Sequence, residues 1–305
     1  MNSLLDVLFV FLDVFREKRN NLGGITLKGI SVICLVYNEE KRIQRFINSF
    51  RNYDEIIVLD KGSTDNTVEI ATKNGVNVIT VPYTDKGTVW KHGVDIAKFD
   101  WVFLLTASDV VHPKLTKQIY KFINSDEANN YTNANIPTTM HILGMSQSNL
   151  VTDWQYRNTF FKKNNMYFED KIHEEFLTEP DIRYSFPHDR MIAIHHLCYE
   201  SLEQCYERQL RYAKEEIHKD MTYKKAFKAI FSEIKRGIRV KVWKAGWHGI
   251  GSVLFMVGYR IQIFLRLLEA ENGDIAAKYN QFALELEAES NKIELSCNGE
   301  KNNDK

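Results

Sequence analysis

The sequence has few of the features that mark disulfide-rich or nucleic-acid-binding chains. Only five of its 305 residues are proline. Its four cysteines form no Cys-x-x-Cys pair, so the sequence does not indicate a disulfide framework and favours a reducing compartment. Forty Lys and Arg balance forty Asp and Glu, which argues against attraction to nucleic acid through bulk charge. Apolar residues make up 44% of the chain, enough for one large globular domain or two modest ones.

The amino terminus is apolar without having the features of a signal peptide. Its apolar run, residues 4–15, contains Asp6 and Asp13 and lacks both a basic start and a small-residue cleavage site. We predict an N-terminal amphipathic helix and linker over residues 1–29, with the helix either packed on the domain or in contact with a membrane.

Short β-branched runs alternate with helical spacing from residue 30 to about residue 111. The predicted strands are 31–37, 55–59, 76–81 and 101–105, and the predicted helices are 41–52, one that starts near 63–65, and 88–98. This alternation predicts an α/β fold whose mostly parallel sheet carries helices on both faces. Ligands of such sheets bind at the carboxyl ends of the strands.

The last third of the chain is predicted to be helical. We expect a helical extension over residues 206–289 and a disordered tail over 290–305. One helix has eight cations against a single acid, Glu233: Lys224, Lys225, Lys228, Lys235, Arg236, Arg239, Lys241 and Lys244. The next 15 residues, 245–259, are uncharged and too short to span a bilayer comfortably, so the extension either lies in a membrane interface or packs on the domain with its charges solvated.

Polar residues follow three of the predicted strands. The first strand ends in Asn38-Glu39-Glu40, the second in the segment 60–65 (DKGSTD), and the fourth in the segment 106–109 (TASD). Each segment alone is typical of a turn or a helix cap. Their clustering at the carboxyl ends of strands is what indicates a site.

These segments resemble family 2 glycosyltransferases, which have the GT-A fold. The resemblance rests on SVICLVYNEEKRIQRFINSF, DEIIVLDKGSTDNTVEIATKNGVNVI, DWVFLLTASDVVHPKL and the KIHEEF of residues 171–176. The last of these is similar to the His-Glu of a subgroup that includes lipopolysaccharide-core glucosyltransferases and bacteriocin S-glycosyltransferases. IHHLCYESLEQCYERQLRYAKEE, from Ile194, is similar to the lipopolysaccharide branch. Residues 30–205 are thereby identified as a GT-A glycosyltransferase domain.

The resemblance implies an inverting transfer of a sugar from a nucleotide-sugar donor to a glycan, lipid-linked or peptide acceptor. It assigns donor binding to Tyr37, Asn38, Glu39, Asp60 and Lys91. Asp60 would accept a hydrogen bond from the base or the ribose, and its alternative role is a helix cap. Lys91 is equally well interpreted as a solvated helix lysine.

The resemblance also implies a catalytic base and a metal site. Glu174 is the candidate base and His173 the second candidate, the alternative being solvated charges at a helix start. A divalent cation, Mg²⁺ or Mn²⁺, would be held chiefly by the donor diphosphate, with Asp109 and His196 as weak protein ligands, because the family's Asp-x-Asp is replaced here by Thr106-Ala107-Ser108. His196 could bind the diphosphate instead of the metal. Asp109 has a helix cap as its alternative role, and the neighbouring His195 is expected to be structural.

Four other classes of protein compete with the glycosyltransferase interpretation. A sugar nucleotidyltransferase needs a glycine-rich loop after the first strand, which is absent, and an HExxH metallohydrolase needs a histidine at Leu177. The basic helix lacks the base-stacking aromatic pattern of nucleic-acid binding. A catalytically weakened or inactive nucleotide- or sugar-binding relative stays open because of Thr106 and Ser108. We expect a cytoplasmic protein, peripheral at the inner leaflet of the membrane.

Overall fold

The computed structural model describes residues 28–82, 86–151, 154–167, 177–217 and 220–300. The chain divides into two compact units, Met1–Ser146 with Thr152–Glu200 (unit 1), and Gln147–Val151 with Ser201–Lys305 (unit 2). The division after residue 200 lies close to the predicted domain limit at 205. Most of the predicted N-terminal helix and linker, residues 1–27, lies outside the described residues.

The first half of unit 1 is the predicted alternation of strands and helices. Its strands are β1 (Ile30–Val36), β2 (Glu55–Asp60), β3 (Asn77–Thr80) and β4 (Trp101–Thr106), and its helices are α1 (Glu40–Phe50), α2 (Thr67–Lys73) and α3 (Lys86–Ile96). The strands lie side by side in the order β3-β2-β1-β4, and every pairing among them is parallel. The expected α/β architecture with a parallel sheet is therefore confirmed.

The second half of unit 1 extends the sheet with mixed pairings. It contains β5 (Asp109–Val111), α4 (Pro113–Ile123), β6 (Asn133–Ile142), β7 (Trp154–Lys162), β10 (Arg183–Ser185) and β11 (Ile194–Tyr199). β7 runs antiparallel to both β4 and β6, and β5 runs antiparallel to β11. Two short strands, β8 (Met166–Tyr167) and β9 (Leu177–Thr178), pair with each other apart from the main sheet. Single 3₁₀ turns occupy Asp126–Asn130, Lys163–Asn165 and Arg190–Ile192.

Two apolar clusters cover the two faces of this sheet. Because successive strand residues point to opposite faces, Phe160 packs in one cluster and Phe161 in the other. The first cluster contains Trp101, whose ring stacks on Phe160 at 4.8 Å between centroids. It also contains the buried face of α1, with Phe46 and Phe50 at helical spacing. The buried core holds the carboxyl ends of the parallel strands in fixed positions.

The described residues of unit 2 form four α-helices: α5 (Leu202–Glu216), α6 (Tyr223–Val240), α7 (Gly246–Asn272) and α8 (Ile275–Glu300). A 3₁₀ turn, Val242–Ala245, joins α6 to α7. Ser201 and Thr222 cap the first two helices, and their hydroxyls accept from the backbone N–H groups of residues three positions later. Since α8 runs to Glu300, the expectation of a disordered tail from residue 290 is wrong up to that residue. The segment has no proline to end the helix.

The helical hairpin formed by α6, the 3₁₀ turn and α7 is closely packed through small residues. Gly237 lies against Val253, and Gly249 lies against the backbone carbonyl of Val242. Arg260 of α7 donates to the buried Glu233 of α6 at 3.1 Å. Small residues therefore let the two helices approach, and one buried ion pair fastens them.

The apolar stripe of α6, formed by Phe227, Phe231, Ile234 and Ile238, is mostly exposed. Phe227, Phe231, Ile234 and Ile238 are each more than two fifths exposed, because α6 packs through Ala226, Glu233 and Gly237 instead.

Of the helices in the described part of the chain, only Val242–Asn272 is long and apolar enough, by length and composition, to cross a membrane. The sequence predicts that the 15 uncharged residues 245–259 are too short to span a bilayer comfortably. The helix continues past them through Arg260 and Arg266, so the argument that the segment is too short no longer holds.

Candidate donor site

The carboxyl ends of β1, β2 and β4 lie level with one another at one edge of the sheet. In the strand register, Val36 pairs with Asp60 and Leu35 pairs with Thr106. The three polar segments singled out in the sequence therefore start from adjacent positions. This is the edge at which open parallel sheets bind their ligands.

The loop after β1 is fastened to the loop after β2. The side-chain oxygen of Asn38 accepts from the backbone N–H of Thr64 at 2.8 Å, and the backbone N–H of Asn38 donates to the Ser63 hydroxyl at 2.9 Å. Asn38 has a φ of 54°, a left-handed conformation that asparagine tolerates better than most residues. Beside it the Tyr37 ring is 58% exposed. The two loops are therefore hydrogen-bonded to each other beside an aromatic ring that is open to solvent.

Asp60 is 1% exposed and holds the turn that follows β2. Its carboxylate accepts from the N–H groups of Gly62 and Ser63 at 3.0 and 3.1 Å and from the Ser63 hydroxyl at 2.5 Å. Gly62 has a φ of 84°, which a residue with a Cβ rarely adopts. Asp60 thus shapes a turn rather than capping a helix, and its role in donor binding stays a prediction.

Arg42 links the loop after β1 to the turn after β4. Its guanidinium is buried, donates to the Ser108 hydroxyl at 2.7 Å and pairs with the Glu39 carboxylate at 2.7 Å. Ser108 stands at one of the two positions where the resemblance expects a carboxylate. Sequence reasoning missed Arg42, although its position four residues before Phe46 on the buried face of α1 was a signal.

Asp109 is fully buried at the start of β5, between two cationic side chains. Its Oδ1 accepts from Arg157 Nη1 at 2.6 Å and from His196 Nδ1 at 2.7 Å. Its Oδ2 accepts from the Thr106 backbone N–H at 2.9 Å and from the Thr106 hydroxyl at 3.1 Å. Helix α4 is capped by His112 instead, so the alternative role of Asp109 as a cap is wrong.

The charges of this cluster are set by its geometry. Burial opposes ionisation of Asp109, but Arg157 and His196 outweigh it and hold the pKa of the carboxyl well below its usual range. Burial also opposes protonation of His196, yet the attraction of Asp109 prevails and raises the pKa of the imidazole to about 9. At neutral pH the three side chains therefore carry two positive charges and one negative charge.

Arg157 was missed in the sequence. It lies on β7 three residues before Phe160, which pairs with Phe103 of β4, so the antiparallel strand carries it past the carboxyl end of β4. A single arginine in a strand of aromatic and small polar residues was the one available signal. The neighbouring His195 contacts His141 and the backbone carbonyl of Arg190, each at 3.0 Å, in keeping with the expected structural role.

The remaining predicted residues are not brought to this edge by any described contact. The ammonium of Lys91 pairs with Asp95 one turn later on α3 at 2.6 Å, and both side chains are more than half exposed. The candidate bases His173 and Glu174 lie outside the described residues. All three assignments stay predictions.

The predicted metal ligands Asp109 and His196 contact each other instead of surrounding an open position. Both oxygens of Asp109 are held by donors, and in the part of the chain that the structure describes no group of three or more His, Cys, Asp or Glu side chains could hold a metal. The described residues therefore do not fit a divalent cation.

The chain resembles solved glycosyltransferase structures only distantly. It is 18% identical to Staphylococcus aureus TarS (residues 1–349), with a TM-score of 0.40 over 64% of this chain and 67% of that one. Glucosyl-3-phosphoglycerate synthase from Mycobacterium tuberculosis, in complex with Mn²⁺ and uridine-diphosphate-glucose, gives 24% identity and a TM-score of 0.33 over 41% of this chain and 47% of that one.

Curated relatives match part of the chain. An uncharacterized glycosyltransferase of Rickettsia bellii is 32% identical over 36% of this chain, and the match spans only 38% of that relative's length. The 4,4'-diaponeurosporenoate glycosyltransferase of Staphylococcus haemolyticus is 39% identical over 26% of this chain and 21% of its own length. The family model described as Glycosyl transferase family 2 matches residues 31–178, which contain β1 to β4 and most of the mixed half of the sheet. Residues 31–178 are therefore similar to the family 2 glycosyltransferases.

Proposed function

We propose that the protein is an inverting glycosyltransferase that moves a sugar from a nucleotide-sugar donor to a glycan, lipid-linked or peptide acceptor. The observation that carries the proposal is the edge of parallel strands where Tyr37, Asn38 and Asp60 lie together inside the region that matches family 2. A crevice of backbone groups with one aromatic ring suits a nucleotide, whose base can stack while its polar groups form hydrogen bonds.

The proposed reaction is a single displacement at the anomeric carbon. A bond forms between the acceptor heteroatom and that carbon, the bond to the diphosphate oxygen breaks, and its electron pair stays on the diphosphate. The acceptor's proton passes to a base, for which Glu174 is the candidate and His173 the alternative. General-base catalysis of this kind contributes about 10² to 10⁴ in rate.

Thermal-shift screening against nucleoside diphosphates and nucleotide sugars tests the proposal without knowledge of the acceptor. We expect one nucleotide to raise the unfolding temperature and its sugar conjugate to be slowly hydrolysed. The proposal would be refuted if none of the nucleotides raised the unfolding temperature.

The same assays separate the enzyme from its alternative, an inactive binding protein, which the hydroxyls of Thr106 and Ser108 favour. Stabilisation without any release of nucleoside diphosphate, in the presence of candidate acceptors, would support the alternative.

We further propose that unit 2 attaches the protein to the inner leaflet of the cytoplasmic membrane as a peripheral protein. The support is the exposed apolar stripe of α6 together with the two tryptophans at the hairpin turn, Trp243 and Trp247, the latter 84% exposed. The eight cations of this segment are all solvent-exposed. Tryptophan beside exposed cations suits the headgroup region of an anionic bilayer.

Flotation with vesicles of phosphatidylglycerol and phosphatidylcholine tests this attachment. Each cation near such a surface contributes about 1 kcal/mol, so Lys241→Gln with Lys244→Gln should weaken binding about thirtyfold. Lys117→Gln with Lys121→Gln, a matched change on α4 of unit 1, should leave binding unchanged. Absence of salt-sensitive flotation would contradict the proposal, and resistance to both salt and alkaline carbonate would show that α7 crosses the bilayer instead.

A further inference from the structure

The polar side chains of the turn after β4 already form hydrogen bonds within the protein. Ser108 accepts from Arg42 at 2.7 Å, and the hydroxyl of Thr106 donates to Asp109 at 3.1 Å. Neither hydroxyl carries the charge with which a carboxylate would hold a divalent cation. The one carboxylate of the turn is Asp109.

Asp109 has no acceptor capacity left for a metal ion. An ionised carboxylate offers about four lone-pair sites, two on each oxygen. In this structure each oxygen already accepts two hydrogen bonds, from Arg157 and His196 on Oδ1 and from two Thr106 donors on Oδ2. A cation at this place would displace two cationic side chains from a buried carboxylate, and that leaves their charges unbalanced.

Arg157 and His196 keep donors that Asp109 does not use. Within the described residues, the polar contact of the Arg157 side chain is the one through Nη1, whereas the His196 ring contacts Asp109 through Nδ1 and also interacts with the Cys198 side chain. The second guanidinium nitrogen of Arg157 is therefore uncommitted, and about a fifth of each of the two cationic side chains is exposed. The free N–H groups of Arg157 lie next to the turn after β4, beside the edge of the sheet where the nucleotide-sugar donor is expected to bind.

We propose that Arg157 and His196, held in place by Asp109, bind the diphosphate of the donor in the position that a divalent cation would otherwise take. The inference rests on the proposed function and adds that donor binding and transfer need no metal. Arginine suits this role because its planar fork of donors matches phosphate oxygens. Since the displacement leaves an electron pair on the diphosphate, cations already in place would stabilise the leaving group without reorganisation.

Calorimetry on the wild-type chain, after metal removal and in excess EDTA, gives the first test. The probes are UDP, GDP, ADP, CDP and dTDP, each compared with its nucleoside and each repeated with Mg²⁺ and with Mn²⁺. We expect one diphosphate to bind in EDTA with an affinity within about threefold of that with metal. Binding that appears only with Mg²⁺ or Mn²⁺ would overturn the inference and leave the proposed function intact, whereas no binding under any condition would refute the proposed function itself.

Variants give the second test. Arg157→Gln should weaken the diphosphate at least tenfold, about 1.4 kcal/mol, while affinity for the nucleoside changes little. Arg183→Gln, which removes a cation from an exposed ion pair of unit 1, is the matched control and should bind normally. Equal loss of nucleoside and diphosphate affinity would show that Arg157 only supports the fold, which contradicts the inference.

Arg157→Lys covers the case in which the glutamine variant does not fold. It keeps a positive charge beside Asp109 but loses the planar fork of donors. A folded lysine variant with selectively weakened diphosphate binding would support the inference. Unchanged diphosphate affinity in EDTA for both a folded Arg157→Lys and a folded His196→Gln would overturn it.

Discussion

Gly249 lies so close to the hairpin turn that we expect its replacement by alanine to lower the free energy of unfolding, by an amount that follows from the structure. A Cβ at residue 249 would lie 1.9 Å from the carbonyl oxygen of Val242 and 2.7 Å from its carbonyl carbon. Such an obstacle is backbone and cannot rotate away, so Gly249→Ala must push the 3₁₀ turn from the first turn of α7. Overpacking of this kind costs about 1 to 3 kcal/mol, and a backbone obstacle favours the upper end.

Gly258 on the same helix is the matched control. A Cβ there would have no atom within 4 Å. Both substitutions gain the same helix propensity, about 1 kcal/mol for alanine over glycine. Gly249→Ala should therefore destabilise unit 2 by about 2 kcal/mol and Gly258→Ala should stabilise it by about 1 kcal/mol, a difference of about 3 kcal/mol between the variants.

Urea unfolding followed by tryptophan fluorescence measures this difference. Trp243 lies in the turn that must move and Trp247 is the second residue of α7, so their emission reports on the hairpin. The comparison between the two variants cancels the propensity gain and isolates the clash. Equal midpoints for Gly249→Ala and Gly258→Ala would refute the packing of α7 against Val242.

Three further predictions concern the site. Asp60→Ala should weaken the nucleotide at least tenfold, about 1.4 kcal/mol, in calorimetry on folded protein, and an unchanged affinity would contradict its assigned role. Glu174→Gln should keep donor affinity and lose about 10² to 10⁴ in transfer rate, whereas near-normal turnover beside an inactive His173→Ala would move the base to His173. The free energy of unfolding should fall as pH rises from 6.5, the ordinary pKa of histidine, through the raised pKa of His196, about 9. A group with a raised pKa stabilises the folded state only while it is protonated. Thermal unfolding from pH 6 to about 10 checks this, and His196→Asn should abolish that alkaline limb.

The strands and helices of the parallel half could be predicted because their signals are local. Each strand is a short β-branched run between polar segments, and α1 shows helical spacing at Ile43, Phe46 and Phe50. The carboxyl-edge site followed from the same information, since alternating strands and helices place those ends together. These inferences needed only neighbours in the sequence.

Unit 2 shows where local pattern misleads. The sequence of α6 leaves open whether the helix lies in a membrane interface or packs on the domain. In the structure the helix packs through Ala226, Glu233 and Gly237, because two glycines and a buried ion pair let α7 approach more closely than the bulky residues would. The uncharged run likewise marked only the first half of a longer helix. The local sequence predicts that α6 is a helix. Which side of α6 is buried depends on how α7 packs against it.

The cluster around Asp109 required the tertiary structure. The sequence by itself determined that the turn after β4 has hydroxyls and a single carboxylate, and hence that a divalent cation would find few ligands. Arg157 lies 48 residues from Asp109 and His196 lies 87 residues away, and the three meet because β7 runs antiparallel past β4 while β11 pairs with β5. No local pattern encodes which distant strands become neighbours, so only the register of the assembled sheet decided that this carboxylate would be surrounded by two cations.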